Sequence, residues 1–232
     1  MASVLLTGSR GLVGSAVASR LAQERWKVRA FDVETGGDLR DEAAVFAAAE
    51  GCDAIVHAGA IAHDSRGTPA EIVATNVLGT WHVLSAAERR GVGRVIYFSS
   101  AQVFGFAEGE GVPAYLPVDD NHPLRAARPY GMSKRLTEEM CEAWTSRTGI
   151  PTVVLRPVMI LTDETLSRTD PSSAELGAYV HLDDVVEAVA LSLAIDVPPH
   201  SRLTLCGPGD FDTSSAASVL GWRAMRGWPE TA

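Results

Sequence analysis

The chain is short of the features that commit a sequence to several common classes. Cysteine is scarce, with 3 in 232 residues. Cys52, Cys141 and Cys206 are scattered, odd in number and form no C-x-x-C pair. Neither a disulfide framework nor a zinc site is expected, and the thiols read as buried. Long apolar runs are missing, since none approaches the ~20 residues a bilayer-spanning helix needs. The amino terminus has no basic segment and passes straight into an apolar run, so no signal peptide is read and a cytoplasmic setting is expected. Positive charge is also short: 20 Lys and Arg against 29 Asp and Glu leave a net charge of −9. That balance works against nucleic acid, whose non-specific binding depends on neutralising phosphates with cations. Internal repeats are absent. What remains is an ordinary hydrophobic content of 46% and a length suited to one domain, or one with a small appendage, around a six- or seven-stranded sheet.

The most informative stretch is Ser3–Gly14, SVLLTGSRGLVG. An apolar run, Val4 to Leu6, meets Thr7 and then Gly8, Gly11 and Gly14, followed by a helix-like segment from Leu12 to Arg25. The spacing is G-x-x-G-x-x-G. It describes a strand, a tight turn and a helix whose first turn meets a ligand without intervening side chains. Gly8 permits the turn, Gly11 lets the backbone approach a pyrophosphate, and Gly14 lets the helix sit against the strand. The N–H groups of the helix start face the phosphates. Ser9, Arg10, Leu12 and Val13 complete this cradle. A second strand, Lys27–Phe31, delivers Asp32 near the distance at which a carboxylate receives an adenosine ribose.

Downstream, strands and helices alternate. Arg40–Glu50 reads as a short helix and Ala54–Val56 as a third strand, which ends in His57-Ala58-Gly59-Ala60. Small residues there let the sheet edge lie beside a nucleotide. His57 reads either as a ligand contact or as a packed structural histidine. Thr68–Arg90 is a long helix with an apolar stripe of Ile72, Val73, Val77, Trp81 and Leu84. Asn76, amid that stripe, is expected to bond the backbone of a neighbouring loop. Arg94–Phe98 is the fourth strand and opens into Ser99–Gly105. Residues 105–128, with Gly109, Gly111, Pro113, Pro117 and Pro123, form a long irregular loop of the kind that serves a site. A helix then runs from Tyr130 to Arg147, and Thr152–Leu155 is a β-branched fifth strand. Thr162–Gly177 reads as loop with one helical turn. Asp183 is an N-cap candidate for a helix through Ala194. Arg202–Cys206 is a late strand and Asp212–Leu220 a weak helix, while Gly221–Ala232 shows no clear element. The alternation predicts an α/β fold: a Rossmann-type parallel sheet with helices on both faces and a reduced C-terminal substrate-binding region. The nucleotide-binding core is drawn at 1–158, and a small substrate-binding region at 159–232, interleaved with the last sheet elements.

Three side chains carry the chemistry: Ser100 at the end of strand four, with Tyr130 and Lys134 on the following long helix. The last two are i and i+4 and share a helix face. A phenol ionises near 10 and is a poor base at neutral pH. A neighbouring ammonium and an oxidised nicotinamide ring both favour the phenolate. Ser100 holds the same substrate oxygen from the other side. Together the groups take the proton of an alcohol whose carbon gives up hydride, or return it.

At this point the sequence resembles the short-chain dehydrogenase/reductase superfamily, in its extended branch of NAD-dependent epimerases and dehydratases. The matching segments are TGSRGLVG at 7–14, Asp32, GDL at 37–39, HAGA at 57–60, TNVLGT around Asn76, SSAQVFG at 99–105, YGMSK at 130–134, RP at 156–157 and YVHLDDVVEA at 179–188. The resemblance implies a catalytic hydroxyl at Ser100, an acid/base at Tyr130, a ribose-binding lysine at Lys134 and a position near the catalytic centre at Asn76. It implies cofactor contacts at Asp32, Asp38, Leu39, His57, Ala58, Gly59 and Pro157, besides the glycine turn, Tyr130 and Lys134. Asp38 and Leu39 match adenine contacts. NAD is expected over NADP, because Asp32 repels a 2′-phosphate, although Arg10 partly offsets this. The resemblance also implies a homodimer through the helices around 69–90 and 129–147, with Trp81 and Trp144 as candidate interface residues.

Two departures bear on substrate. Phe104 stands where the family commonly has tyrosine, and only Met159–Ala178 is available where nucleotide-sugar enzymes carry a sizeable insert. Arg168 is the sole cation in that segment. A small sugar-like, sugar-acid or hydroxy-carbonyl compound fits better than a nucleotide sugar, and uronate dehydrogenases are a compact example within the resemblance. Arg156, Arg128 and Arg125 are candidate carboxylate partners. Ala101 and Gln102 follow Ser100, so the acidic pair a dehydratase needs is missing there. The alternatives are a (nucleotide-)sugar epimerase and a non-catalytic dinucleotide sensor.

Overall fold

The computed structural model describes residues 1–106, 111–170, 172 and 174–228. Gly109 and residues 229–232, named above in the irregular loop and the tail, lie outside the described residues.

Six strands form one parallel sheet: β1 (Ser3–Thr7), β2 (Lys27–Phe31), β3 (Ala54–His57), β4 (Val95–Phe98), β5 (Thr152–Pro157) and β8 (His200–Leu205), in the order β2-β1-β3-β4-β5-β8. Two residues each from β6 (Ile160–Leu161) and β7 (Val180–His181) pair in a separate small sheet. The expected α/β architecture with a parallel sheet between helical layers is what forms.

The layers follow from alternation along the central strands, where successive side chains point to opposite faces. Val4, Leu6, Ile96, Phe98, Val153 and Leu155 face α1 (Leu12–Gln23), α7 (Leu182–Ala194) and α8 (Ser214–Leu220). Leu5, Ile55, Val95, Tyr97 and Val154 face α2 (Glu42–Ala48), α4 (Gly79–Arg90) and α5 (Pro129–Thr148). Each fully buried Val, Leu or Ile contributes about 1.5–3 kcal/mol of transfer free energy.

Several elements differ from expectation. The long helix begins as α3 (Pro69–Ile72), passes through a π-helical stretch, Val73–Leu78, and continues as α4. Its inward face carries Ile72, Asn76, Thr80, Val83 and Leu84, whereas Val73 and Trp81 of the expected stripe are 40% and 47% exposed. The wider π turn shifts the register of the helix, so a fixed 3.6-residue period fails across it. Trp144 is buried in the α2/α4/α5 layer of its own domain, not held out for a partner. Asp183 is not the cap of α7. His181 is, with extended backbone and a ring nitrogen accepting the Asp183 N–H at 3.2 Å. The expected helical turn in the polar segment is α6 (Asp163–Leu166).

The described part of the tail, 221–228, is docked. Trp222 is 1% exposed, and its indole N–H donates to the Asp184 carbonyl at 2.8 Å. The Asp184 carboxylate accepts the Met225 and Arg226 N–H groups at 3.1 and 3.3 Å. Trp228 packs against Tyr179 with the rings tilted by 52° and donates to the Gly177 carbonyl at 2.9 Å.

Candidate functional site

The chain runs from β1 out to the edge at β2 and then crosses to β3 on the other side of β1. That reversal opens a crevice at the carboxyl ends of β1 and β3, where open α/β sheets bind ligands. A cleft of about 990 Å³ lies there. Its lining includes Gly8, Gly11, Leu12, Val13 and Gly14 from the glycine turn, with Asp32, Asp38, Leu39, Ala58 and Gly59.

The turn is as tight as its spacing implied. Gly8 has φ +66, and a Cβ on it would lie 2.6 Å from the Gly59 nitrogen. A Cβ on Gly14 would lie 2.0 Å from the Gly8 oxygen. Asp32 pins the turn from the second strand, accepting the Arg10 N–H at 2.9 Å and the Glu34 N–H at 3.0 Å. Among the described residues no side chain caps α1 at Gly11, which leaves the helix start for a ligand. The Ser9 hydroxyl, buried there, has no hydrogen-bond partner among the described residues. A cradle this close, with uncapped N–H donors and an unpaired hydroxyl, fits the phosphates of a dinucleotide.

Four expected cofactor contacts are engaged within the chain itself. The Arg10 side chain is exposed and directed at Glu34, 3.8 Å away. His57 faces inward: one ring nitrogen meets the Thr7 hydroxyl at 2.6 Å and the other the Thr80 hydroxyl at 3.0 Å. Burial pushes its pKa down to about 3, so the ring is neutral and belongs to the scaffold. Pro157 closes β5, buried opposite Leu205 of β8. Asp38, the expected adenine contact, has both carboxylate oxygens engaged by Arg40 at 2.6 to 3.0 Å, and this holds its carboxyl below the usual range.

The catalytic candidates converge at the end of β4. Ser100 is half-buried and caps the short turn Ala101–Phe104, accepting the Gln102 N–H at 3.2 Å. Its hydroxyl lies beside the Tyr130 phenol and favours the phenolate. Tyr130 is 8% exposed. Burial pushes its pKa up to about 12; the Ser100 hydroxyl opposes this and the Asp64 carboxylate adds to it. The expected lowering by a neighbouring ammonium is not seen. Lys134 instead donates to the Phe98 carbonyl at 2.6 Å, with its nitrogen 5.9 Å from the Tyr130 ring centre. Burial brings Lys134 down to about 8.

Asn76 ties these parts together. Its amide accepts the Ile61 N–H at 2.8 Å and donates to the Ile61 carbonyl at 3.0 Å and the Ser133 hydroxyl at 2.9 Å. The loop after β3 is thereby joined to the helix of Tyr130 and Lys134, which is the backbone contact expected of it. Sequence reasoning missed Asp64. No side chain of its own caps α5, and the Asp64 carboxylate accepts the Tyr130 N–H at 2.7 Å from the β3–α3 loop. Thr7 and Thr80 were also missed, although Thr7 ends the apolar run before the glycines.

Of the arginines proposed for a substrate carboxylate, Arg156 is fully buried and paired with Glu138 at 2.6 Å, a structural ion pair. Arg125 and Arg128 are exposed before α5. Phe104 is buried among Phe106, Phe211 and His122, so its missing hydroxyl lies in the core of a small aromatic lobe.

Comparison with known proteins agrees with this geometry. The profile of the NAD dependent epimerase/dehydratase family matches residues 4–173. A uronate dehydrogenase of Pseudomonas putida is 32% identical over 165 residues, 66% of this chain and 59% of its own length. A putative UDP-glucose 4-epimerase of Methanocaldococcus jannaschii is 30% identical over 173 residues, 66% of this chain and 54% of its own length. The matched regions thus span little more than half of these curated relatives. Among solved structures, a short-chain dehydrogenase/reductase superfamily protein from Agrobacterium tumefaciens with bound NAD superposes with a TM-score of 0.82 at 24% identity, covering 97% of this chain and 93% of that one. With the family profile running through the glycine turn, the helix of Tyr130 and Lys134 and β5, the chain belongs to the NAD-dependent epimerase/dehydratase family.

Proposed function

We propose that the protein is an NAD-dependent oxidoreductase acting between a secondary alcohol and its carbonyl in a small sugar-like substrate, a sugar acid before others. The observation that carries the reading is the meeting of the Ser100 hydroxyl and the Tyr130 phenol at the end of β4, with Lys134 one helical turn further on. The relatives named uronate dehydrogenase support the sugar-acid class. Asp32 in the cleft wall, and Arg10 turned toward Glu34, favour NAD over NADP, because a 2′-phosphate would meet the Asp32 carboxylate.

The nicotinamide cofactor would supply the hydride acceptor or donor, and Gly8–Gly14, Asp32 and Lys134 would hold it. Ser100 and Tyr130 grip the substrate oxygen from two sides. With its pKa near 12, the Tyr130 oxygen carries a proton at neutral pH and is ready to give it to a carbonyl oxygen. Removing the proton of an alcohol requires the phenolate, so oxidation gains as pH rises. Arg125 and Arg128, exposed before α5, are the cations assigned to a substrate carboxylate.

Epimerisation is the second reading, supported by the relative named as a putative UDP-glucose 4-epimerase. It uses the same Ser100, Tyr130 and Lys134. A cytoplasmic homodimer completes the proposal. Exposed Val73, Leu78 and Trp81 on the α3–α4 stretch, with Leu136 on α5, support the partner surface. Among the described residues no helix is long and apolar enough to cross a membrane. The test is reduced-cofactor formation across sugar acids, aldoses and lactones, with isomer analysis of the sugar and sedimentation of wild type and Trp81→Glu. Net NADH with a sugar acid supports oxidation. An inverted sugar without NADH selects epimerisation, and inertness on every substrate refutes both.

A further inference from the structure

The chemistry assigned to Ser100, Tyr130 and Lys134 leaves one fully buried anion without a role. Glu138 follows Lys134 by one turn on α5 and is 0% exposed. One of its oxygens accepts the Ser99 hydroxyl at 2.5 Å and the Arg156 Nε at 2.9 Å. The other accepts the Arg156 Nη2 at 2.6 Å. Ser99 precedes Ser100, and the residue before it, Phe98, accepts the Lys134 ammonium at 2.6 Å. One carboxylate therefore binds the strand end that carries the catalytic hydroxyl, while its own helix carries the phenol and the lysine. Arg156 extends the contact by donating to the Asp120 carbonyl at 2.9 Å, and Asp120 accepts the Thr204 N–H and hydroxyl at 2.8 and 2.6 Å.

We propose that Glu138 is a positioning residue for the reaction assigned above: it clamps the end of β4 to α5 and supplies the negative charge that the buried Lys134 ammonium faces. The inference rests on that reading of Ser100, Tyr130 and Lys134. The other groups facing Lys134 carry no charge at neutral pH. His57 of β3 is neutral, with its pKa at about 3. Tyr97 of β4, whose ring centre is 4.9 Å from the ammonium, is held protonated by burial. Tyr130 and Cys141 of α5 are likewise pushed up by burial. Glu138 acts against the desolvation that lowers Lys134. On its far side Glu138 meets Arg156 of β5 and, at 3.8 Å, Arg202 of β8. A buried ion pair adds little net stability compared with apolar packing. A positioning role gives a reason for placing one directly behind the catalytic groups.

The chain has two lysines, Lys27, which is exposed, and Lys134. NMR of protein carrying isotope-labelled lysine therefore follows Lys134 against a single reference signal. In wild type, Lys134 should titrate with a midpoint of about 8. In Glu138→Gln the midpoint should fall by about one pH unit, as expected on losing a nearby opposite charge. The alkaline limb of kcat should fall with it, while the KM for NAD holds. Should Glu138→Gln leave Arg156 unpaired and the fold weakened, the double variant Glu138→Gln with Arg156→Met removes both charges and should show the same lowered midpoint. A lowered Lys134 midpoint in either variant supports the inference. An unchanged midpoint in a folded variant overturns it, even if activity falls. A wild-type enzyme inert on every alcohol and carbonyl, with the midpoint still displaced in the variant, refutes the oxidoreductase reading and leaves the Glu138–Lys134 coupling standing.

Discussion

Replacing Gly14 by alanine should damage cofactor binding more than it damages the fold. The new methyl carbon would stand 2.0 Å from the Gly8 oxygen, 2.8 Å from the Gly8 carbonyl carbon and 2.9 Å from the Ser9 Cα, all backbone atoms. A tolerable carbon–oxygen approach is about 3.3 Å, so the start of α1 must back away from the turn by roughly 1.3 Å. That displacement strains the Gly11 N–H bond to the Gly8 oxygen, now 3.1 Å, and moves the helix-start donors out of line with the phosphates. Overpacking of this kind costs about 1–3 kcal/mol. If most of that falls on the bound geometry, NAD affinity drops roughly ten- to hundredfold. Gly51→Ala is the control. Gly51 has φ +67 and open space around it, in the turn between α2 and β3. The left-handed conformation costs alanine about 1–2 kcal/mol. Calorimetric titration with NAD and thermal unfolding on both variants should show lost affinity for Gly14→Ala alone and lost stability for both. Wild-type NAD affinity in Gly14→Ala, or an equal loss in Gly51→Ala, would refute the reasoning.

Three further outcomes are expected. His57 should show no ring titration between pH 5 and 8 by NMR. Because its folded pKa of about 3 lies below the unfolded 6.5, the unfolded chain takes up the proton first as pH falls. The stability held above that value should then be lost progressively on acidification, up to about 5 kcal/mol for this one group. Trp222→Ala should cost about 3–5 kcal/mol by emptying the site beneath the tail, read as a fall of roughly 6–20 °C in Tm. Asp64→Ala should cost about 1 kcal/mol as a lost helix cap and lower kcat while leaving NAD affinity near wild type; an unchanged kcat would remove Asp64 from the site.

Much of this was legible in the sequence because its causes are local. Three glycines at a fixed spacing impose a turn, and alternating apolar residues in β1, β4 and β5 impose a sheet buried on both faces. Tyr130 and Lys134 share a helix face whatever surrounds them. The rest depends on contacts that no local pattern encodes. Asp64 reaches the Tyr130 N–H across 66 residues and Thr7 reaches His57 across 50. The outward turn of Trp81 and Val73 depends on a π-helical stretch that a fixed helical period does not anticipate. The phenol offers the sharpest lesson. Spacing alone suggested an ammonium lowering its pKa, but Lys134 directs its N–H at the Phe98 carbonyl, and desolvation of Tyr130 wins. The docking of Trp222 and Trp228 likewise follows from cavities made by distant elements, which is why 221–228 showed no element of its own.

Everything proposed for the site depends on the Tyr130 oxygen being the atom that moves the substrate proton. The most direct measurement is turnover by Tyr130→Phe on the best substrate found for wild type, followed by the absorbance of the reduced cofactor, with NAD affinity measured alongside. Loss of about a hundredfold or more in kcat, with NAD affinity kept within a few fold, is the predicted result. Turnover at the wild-type rate with the phenol oxygen removed would contradict it.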